Sequence, residues 1–187
     1  MKNHNKVVPQ FSYYKAPVTN TKPYQVVTLK QVHEVITGNY FINHTNQLRL
    51  IADKSKNREY KASQFHYVTF SGVFSKRNEK ALIEHSGLMA LDFDHIEDVM
   101  ELKKRLLADP YLNTELLFIS PNGNGIKWIV SAELTENLNH GQMFQALYNY
   151  IKDTYSIEVD KACKDVSRAT FLCYDPEAYI RPKHLVQ

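Results

Sequence analysis

The sequence predicts an α+β fold in which a βαββαβ unit occupies residues 86–176 and follows a smaller α+β lobe. An apolar run at residues 88–91 follows a glycine and is typical of a buried strand. Beyond it, segments with helical and β-type periodicity alternate along the chain. The 187 residues are 43% hydrophobic and 12% aromatic, which is enough to bury an ordinary core. We therefore expect a single domain divided into two lobes.

Residues 1–24 are predicted to form an extended arm that lies over the body of the protein. Pro9, Pro17 and Pro23 occur there among polar and aromatic residues, and a proline disfavours helix in the residue before it. A short strand is expected at Val26 and Val27.

Residues 25–85 are predicted to form a basic α+β lobe. Thr28 and Gln31 have the spacing of a capping box, which would open a helix that ends at Gly38. Residues 48–52 and 67–70 have the composition of strands, and a polar connection rich in lysine and arginine joins them.

Residues 86–176 are predicted to contain the elements of the larger unit, and residues 177–187 are predicted to form a C-terminal tail. The expected order is a strand at 88–94, a helix near 96–108, a strand at 115–120, a glycine-rich turn, a strand at 126–132, a long helix capped at residue 139 and a strand at 168–174. This is the split arrangement of ferredoxin-like and RNA-recognition-type domains, whose first and third strands are neighbours. Asp92 and Asp94 would then lie beside Lys127.

The net charge of +3 hides an uneven distribution. Residues 1–85 hold 13 Lys or Arg against 5 Asp or Glu, whereas residues 86–187 hold 10 against 15. This asymmetry indicates a basic lobe that attracts polyanions beside an acidic lobe that holds cations. A solvated basic face explains the charge of the first half equally well.

Asp92 and Asp94 are candidate metal ligands. Side chains alternate across a strand, so these two carboxylates would project from the same face at its carboxyl end and repel each other unless a cation lies between them. Mg²⁺ or Mn²⁺ would suit such oxygen ligands. The alternative is a strand end at which Asp94 caps the following helix.

Asp160 is the candidate third ligand, because Ile157 and Val159 would anchor the segment before it. Three carboxylates and a divalent cation suit phosphoryl or nucleotidyl transfer, with Lys127 and Arg168 pairing with phosphates. Each residue also has a structural explanation. Lys127 could be the polar side of a half-exposed strand, Arg168 the ion-pair partner of Asp165, and Asp160 a turn residue.

Residues 71–77 combine a glycine, hydroxyls, an aromatic ring and two cations just after a predicted strand. These groups could bind phosphates and bases, although a surface turn explains them as well. The candidate nucleic-acid-binding residues are Ser71, Phe74, Lys76 and Arg77, together with Lys61 of the basic connection and His85.

The sequence contains no apolar run of the ~20 residues that cross a membrane, and no signal-peptide pattern near residue 1. Cys163 and Cys173 lack metal-type spacing, so both are expected to be reduced thiols. A cytoplasmic location is the expectation. The absence of a His-x-His pair argues against a rolling-circle nicking enzyme on a similar sheet.

Three motifs occur in order along the second half of the chain: Leu91-Asp-Phe-Asp94, Ser120-Pro-Asn-Gly-Asn-Gly-Ile-Lys127, and Val159-Asp160 followed by Ser167-Arg168. Their combination resembles the three-motif pattern of the archaeo-eukaryotic primase (primase-polymerase) superfamily. Residues 68–77 and 85–88 add a resemblance to a narrower family, the VirE-type N-terminal domain of replication and mobile-element proteins. The similarity covers roughly residues 10–180.

The resemblance implies a primase-like core with an RNA-recognition-type sheet and with Asp92, Asp94 and Asp160 as ligands of Mg²⁺ or Mn²⁺. It also implies nucleoside triphosphates, single-stranded or primed DNA or RNA and a helicase-like ATPase as partners. The phosphate-binding residues would be Ser120, Asn122, Gly123, Gly125, Lys127 and Arg168.

The sequence departs from the superfamily pattern at Lys127, which stands where these enzymes usually have a histidine. A lysine can bind phosphate but lacks the geometry and near-neutral pKa of an imidazole. The sequence is therefore compatible with two functions: a nucleotidyltransferase in replication of DNA or mobile elements, and an inactive nucleotide- and nucleic-acid-binding module.

Overall fold

The computed structural model describes residues 8–186 and shows an α+β fold with antiparallel sheets, which confirms the predicted class. The α-helices of this described part are α1 (Leu29–Thr37), α2 (Ile42–Leu50), α3 (Lys54–Gln64), α4 (Val99–Leu107) and α5 (His140–Tyr155). Its strands are β1 (Gln10–Tyr14), β2 (Gln25–Thr28), β3 (Tyr67–Thr69), β4 (Gly72–Phe74), β5 (Leu82–His85), β6 (Leu88–Phe93), β7 (Thr114–Ile119), β8 (Ile126–Ser131), β9 (Thr170–Phe171) and β10 (Tyr179–Ile180).

The first sheet has the strand order β2-β1-β3-β9 and places β1 in its interior. The prediction of an extended arm over residues 1–24 missed this strand, and its residues 1–7 lie outside the described part of the chain. Pro9 and Pro17 flank β1 without interrupting it, so all its backbone N–H groups remain for pairing. Phe11 and Tyr14 are fully buried, which makes β1 part of the core.

The predicted strand at residues 48–52 is wrong, because most of this segment is the last turn of α2. Thr45 and Leu48 are buried at helical spacing, while Leu50 is exposed. The basic connection after it is also helical: it forms α3, and Asp53 caps that helix by accepting the N–H of Lys56 at 2.8 Å. The capping box predicted at Thr28 and Gln31 is confirmed at the start of α1.

The second sheet has the strand order β10-β7-β8-β6, and all its pairs are antiparallel. The predicted pairing of the first and third strands is confirmed, with Asp92 directly opposite Lys127. The predicted last strand, residues 168–174, does not complete this sheet. Only β9 forms there, and it pairs with β3 of the first sheet.

The segment around Asp160 takes the place beside β6 where a fourth strand was expected. The backbone N–H of Asp160 donates to the carbonyl of Asp92 at 2.9 Å, and a short 3₁₀ helix, Lys161–Lys164, follows at once. A helical turn cannot continue a strand ladder, so β6 remains an edge strand.

Both faces of the second sheet are buried, which explains why β6 is apolar throughout its first four residues. One face packs against α4 and α5 through Leu91, Phe93 and Trp128. The other face packs against the first sheet and α1, with Leu88 and Ala90 in the shared core. Asp92 lies on the same face of β6 as Leu88 and Ala90, so the interface between the two sheets becomes polar at the end of β6.

None of the helices in residues 8–186 has the length and apolar character needed to cross a membrane. Cys163 and Cys173 are free and buried.

Candidate functional site

A cleft of about 420 Å³ opens where the polar ends of β6 and β8 face the first lobe. We call it the central cleft. Many of the predicted site residues line it: Lys61, Arg77, Asp92, Asp94, Ser120, Asn122, Lys127 and Arg168. These residues come from positions 61–168, so the fold brings together motifs that are far apart in sequence.

Asp92 is the most buried acid of the central cleft, with 2% of its surface exposed. Its Oδ2 atom lies 2.7 Å from Lys127 Nζ and 3.7 Å from Arg168 Nη2. Burial lowers the pKa of Lys127, but the charge of Asp92 and the hydrogen bond between them raise it by more, so the net shift is upward. Lys127 is thus a buried ammonium group and not the half-exposed strand residue of the alternative explanation.

Asp94 lies just beyond β6, is exposed and lines the same cleft. The alternative that it caps the following helix is wrong, because α4 starts five residues later. Its cap is Asp98, which accepts the N–H of Glu101 at 2.9 Å. Asp94 therefore presents a carboxylate to the cleft without a capping role in α4.

Asp160 lies beside Asp92 but its carboxylate is already engaged. Its Oδ1 atom accepts the N–H of Ala162 at 2.9 Å, and its Oδ2 atom lies 2.5 Å from Arg168 Nη2. Arg168 therefore pairs with Asp160 and Asp92, while the side chain of Asp165 accepts from Ser167. Asp160 holds the arginine at the cleft and is not itself part of the lining.

The three predicted metal ligands do not form a ready-made site. Within residues 8–186 no group of three or more His, Cys, Asp or Glu side chains is placed to hold a metal ion. Asp92 Oδ1 is nevertheless buried without a hydrogen-bond partner in this part of the chain, and Asp94 lies on the same cleft. Two hard oxygen donors therefore fit Mg²⁺ or Mn²⁺, and the third would join them only if Arg168 released Asp160.

The glycine-rich turn between β7 and β8 packs tightly against the end of β6. A Cβ atom on Gly125 would lie 2.2 Å from the carbonyl oxygen of Phe93, so only glycine allows this approach. Gly123 has a φ of +82° and donates its N–H to the carbonyl of Ser120 at 2.8 Å. The turn leaves Ser120 Oγ buried, without a partner among the described residues, at the wall of the cleft.

Lys61 and Arg77 reach the central cleft from the first lobe. Burial lowers the pKa of Lys61, and the nearby charge of Lys127 lowers it further. Arg77 donates to the carbonyl of Val18 at 3.3 Å and lies over the ring of Tyr67, with its guanidinium carbon 5.3 Å from the ring centroid. Two predicted nucleic-acid residues are thus in contact with the predicted nucleotide site.

The other predicted nucleic-acid residues lie outside the central cleft. Ser71 and Phe74 are buried, and the N–H of Phe74 donates to Ser12 Oγ at 2.9 Å. His85 Nε2 lies 3.1 Å from His140 Nδ1, and burial lowers the pKa of His85 to about 4. Lys76 is exposed. The β4–β5 hairpin packs on β1, and Arg77 is the residue of this segment that lines the central cleft.

A second cleft of about 390 Å³ continues the central one over α2 and α3, and we call it the α2–α3 groove. The two share Arg58, Lys61, Asp94 and Asn122. Arg49 and Lys54 line only the groove. Sequence reasoning noted the basic stretch around Lys54 but assigned it to a connection. The basic residues of this stretch recur at helical spacing, and that spacing could have predicted that they share one face of a helix: Lys54, Arg58 and Lys61.

Comparison with protein families gives an assignment that covers most of the central cleft. The family described as "BT4734-like, N-terminal domain" matches residues 59–180, which is more than half of the chain and includes every residue from Lys61 to Arg168. Searches of curated proteins and of solved structures found no match. The chain belongs to the BT4734-like N-terminal domain family.

Proposed function

We propose that this chain is a primase-polymerase-like nucleotidyltransferase domain that binds a nucleoside triphosphate and nucleic acid at the central cleft. The observation that carries the proposal is the meeting of Asp92, Lys127 and Arg168 within one cleft, beside the unpartnered hydroxyl of Ser120. The strand neighbours β6, β8 and β7, with α4 and α5 on one face, support an RNA-recognition-type core.

The charge of the central cleft suits a polyphosphate. Arg58, Lys61, Arg77, Lys127 and Arg168 line it together with Asp92, Asp94 and Asp165, so cations outnumber acids. Arg168 can hold phosphate oxygens through its planar fork, and Lys127 can hold them as a point charge. Ser120 Oγ can donate a further hydrogen bond.

Phosphates that bind Lys127 and Arg168 would compete with the ion pairs that these two cations make with Asp92 and Asp160. Asp92 and Asp160 would then lose their cationic partners and become available, with Asp94, to oxygen-seeking divalent cations. A bound Mg²⁺ or Mn²⁺ would supply charge neutralisation of the phosphates and activation of the attacking hydroxyl. In nucleotidyl transfer that hydroxyl bonds to the α-phosphorus and diphosphate leaves. Replication of DNA or mobile elements beside a helicase-like ATPase, in the cytoplasm, is the setting that we infer from the sequence resemblance.

Strand synthesis tests this proposal directly. The protein is incubated with Mn²⁺, labelled nucleoside triphosphates and single-stranded DNA, and extended products are expected. Asp92→Asn should abolish them, whereas Glu97→Gln, an exposed acid outside the cleft, should retain them. Absence of products with the wild type, or products that persist in Asp92→Asn, would overturn the catalytic proposal.

The second candidate function is a binding module without turnover, and the ion pairs of Asp92 and Asp160 favour it. Such a module would use Lys127 and Arg168 for phosphate and would not need a metal ion. It predicts that triphosphate binding measured by calorimetry persists in EDTA and in Asp92→Asn. Binding that disappears in EDTA would exclude the metal-independent module.

A further inference from the structure

The lining of the α2–α3 groove carries an excess of positive charge. It contains Arg49, Lys54, Arg58 and Lys61 against the single carboxylate of Asp94. Across residues 8–186, none of these four cations has a carboxylate oxygen within 4 Å. Like charges that are held side by side repel each other, and a bound polyanion relieves that repulsion.

The cations of α3 are arranged along a line. Lys54, Arg58 and Lys61 are spaced by four and three residues, so they share one face of the helix. At 1.5 Å per residue they extend over about 10 Å, which is longer than a single phosphate group. The row ends at Lys61, which also lines the central cleft.

The loops that follow β6 and β7 supply polar hydrogen-bonding groups to the same groove. Asn122, Asn124 and His95 line it and are exposed. His95 has a φ of +57°, a left-handed conformation that costs a non-glycine residue energy. The N–H of Ile96 donates to the carbonyl of Asn124 at 2.9 Å and holds the two loops together. The groove therefore combines a row of cations with polar groups from two loops that are held together.

We propose that the α2–α3 groove binds the phosphate backbone of a single-stranded nucleic acid and leads that strand into the central cleft. The inference rests on the proposed function only for the role of the central cleft. The sequence prediction had placed nucleic acid mainly on the segment of Ser71 and Phe74, and of its candidates only Lys61 lines this groove. The groove lining has few apolar residues, Ile51 and Ala52, so it favours a sequence-independent polyanion over an apolar protein partner.

Fluorescence anisotropy with a labelled 18-nucleotide oligothymidine tests the groove. Lys54→Glu changes a residue that lines the groove but not the central cleft, at the first position of α3, where a carboxylate suits the helix dipole. We expect affinity to fall roughly 3- to 10-fold and the salt slope to fall by about 0.7, the value for one phosphate contact. Adding Arg58→Gln should lower both further.

Lys80→Glu is the matched control, because it reverses an exposed charge that lines neither the groove nor the central cleft. It should bind within roughly twofold of wild type once the change in net charge is screened by salt. Triphosphate binding by Lys54→Glu should equal that of the wild type, which separates this inference from the proposed function. Equal oligonucleotide binding by Lys54→Glu and Lys80→Glu would overturn it, as would stronger binding of polyglutamate than of the oligonucleotide.

Discussion

Asp92 and Lys127 show how a single pair of residues can serve both the fold and the site. Register places them opposite each other on β6 and β8, and both are almost fully buried. A buried ion pair costs desolvation, so it adds little net stability compared with an apolar pair. Loss of one partner is costly, because the remaining charge stays buried.

Lys127→Met should therefore lower the free energy of unfolding by about 3 kcal/mol, since Asp92 would lose its partner at 2.7 Å. The double variant Lys127→Met/Asp92→Asn should recover much of this loss. Urea unfolding of the wild type, both single variants and the double variant forms a complete cycle. Strictly additive effects would show that the pair is not coupled.

Some contacts between individual residues of the site could be predicted from the sequence, and others could not. Asp92, Asp94 and Lys127 were predicted as a group because strand alternation and pairing are local rules that need only the order of elements. The attachment of Arg168 to Asp160 was not predicted. It depends on a 3₁₀ turn beside β6, and the sequence there suggested only a segment before a strand.

Among the elements, the turn between β7 and β8 leaves the least room for a side chain. Gly125 lies where β8 begins, and the chain of β6 passes so close that no side chain fits between them. The N–H of Ser120 donates to the carbonyl of Gly125 at 2.8 Å, which joins the two ends of the turn. The turn is thus positioned by backbone contact, and the side chains of Ser120 and Asn122 follow from it.

Gly125→Ala should separate the turn from β6 and weaken triphosphate binding as well as stability, because its Cβ atom would meet Phe93 O at 2.2 Å. Gly141→Ala is the control. Its nearest contact would be the flexible end of Lys164 at 3.4 Å, and alanine favours the helix α5 by up to about 1 kcal/mol. Thermal unfolding and calorimetry measure the two effects. A Gly125→Ala protein as stable as Gly141→Ala would contradict the close approach.

Helices α2 and α3 were mispredicted for a physical reason at the same scale. The stretch around Leu48, Leu50 and Ile51 is too short to distinguish strand from helix by periodicity. The buried partners Thr45 and Leu48 follow a helical repeat that becomes visible only once the core is known. The sequence therefore showed which basic residues are present but did not predict that they line one groove.

For the whole molecule, the C-terminal segment ties the end of the chain back to the second sheet. Glu115 on β7 is buried and pairs with Arg181 at 2.9 Å, Lys183 at 2.8 Å and His184 at 2.5 Å. Burial raises the pKa of Glu115, but hydrogen bonds from Lys183, Ser131 and His184 outweigh it and lower the pKa to about 2. This carboxylate holds the segment after β10 in place.

The stability of the protein should accordingly depend on pH below about 4.5. The folded pKa of Glu115 lies below its ordinary value of 4.5, so its contribution is complete above pH 4.5 and is lost as pH falls towards about 2. The loss should be on the order of 3 kcal/mol. Glu115→Gln should be less stable near neutral pH and show a shallower decline in acid. Parallel acid slopes in chemical unfolding experiments would contradict this role.

The sequence alone determined the α+β class, the strands β6, β7 and β8, the helices α1, α4 and α5, and the pairing of Asp92 with Lys127. These features follow from periodicity, caps and glycine turns, which act over a few neighbouring residues. The tertiary structure alone decided that β1 is an inner strand, that β9 pairs with β3, that Arg168 holds Asp160 and that Arg58 and Lys61 of α3 line the central cleft. These features depend on which surfaces of the folded chain pack against one another, and such packing leaves no local pattern in the sequence.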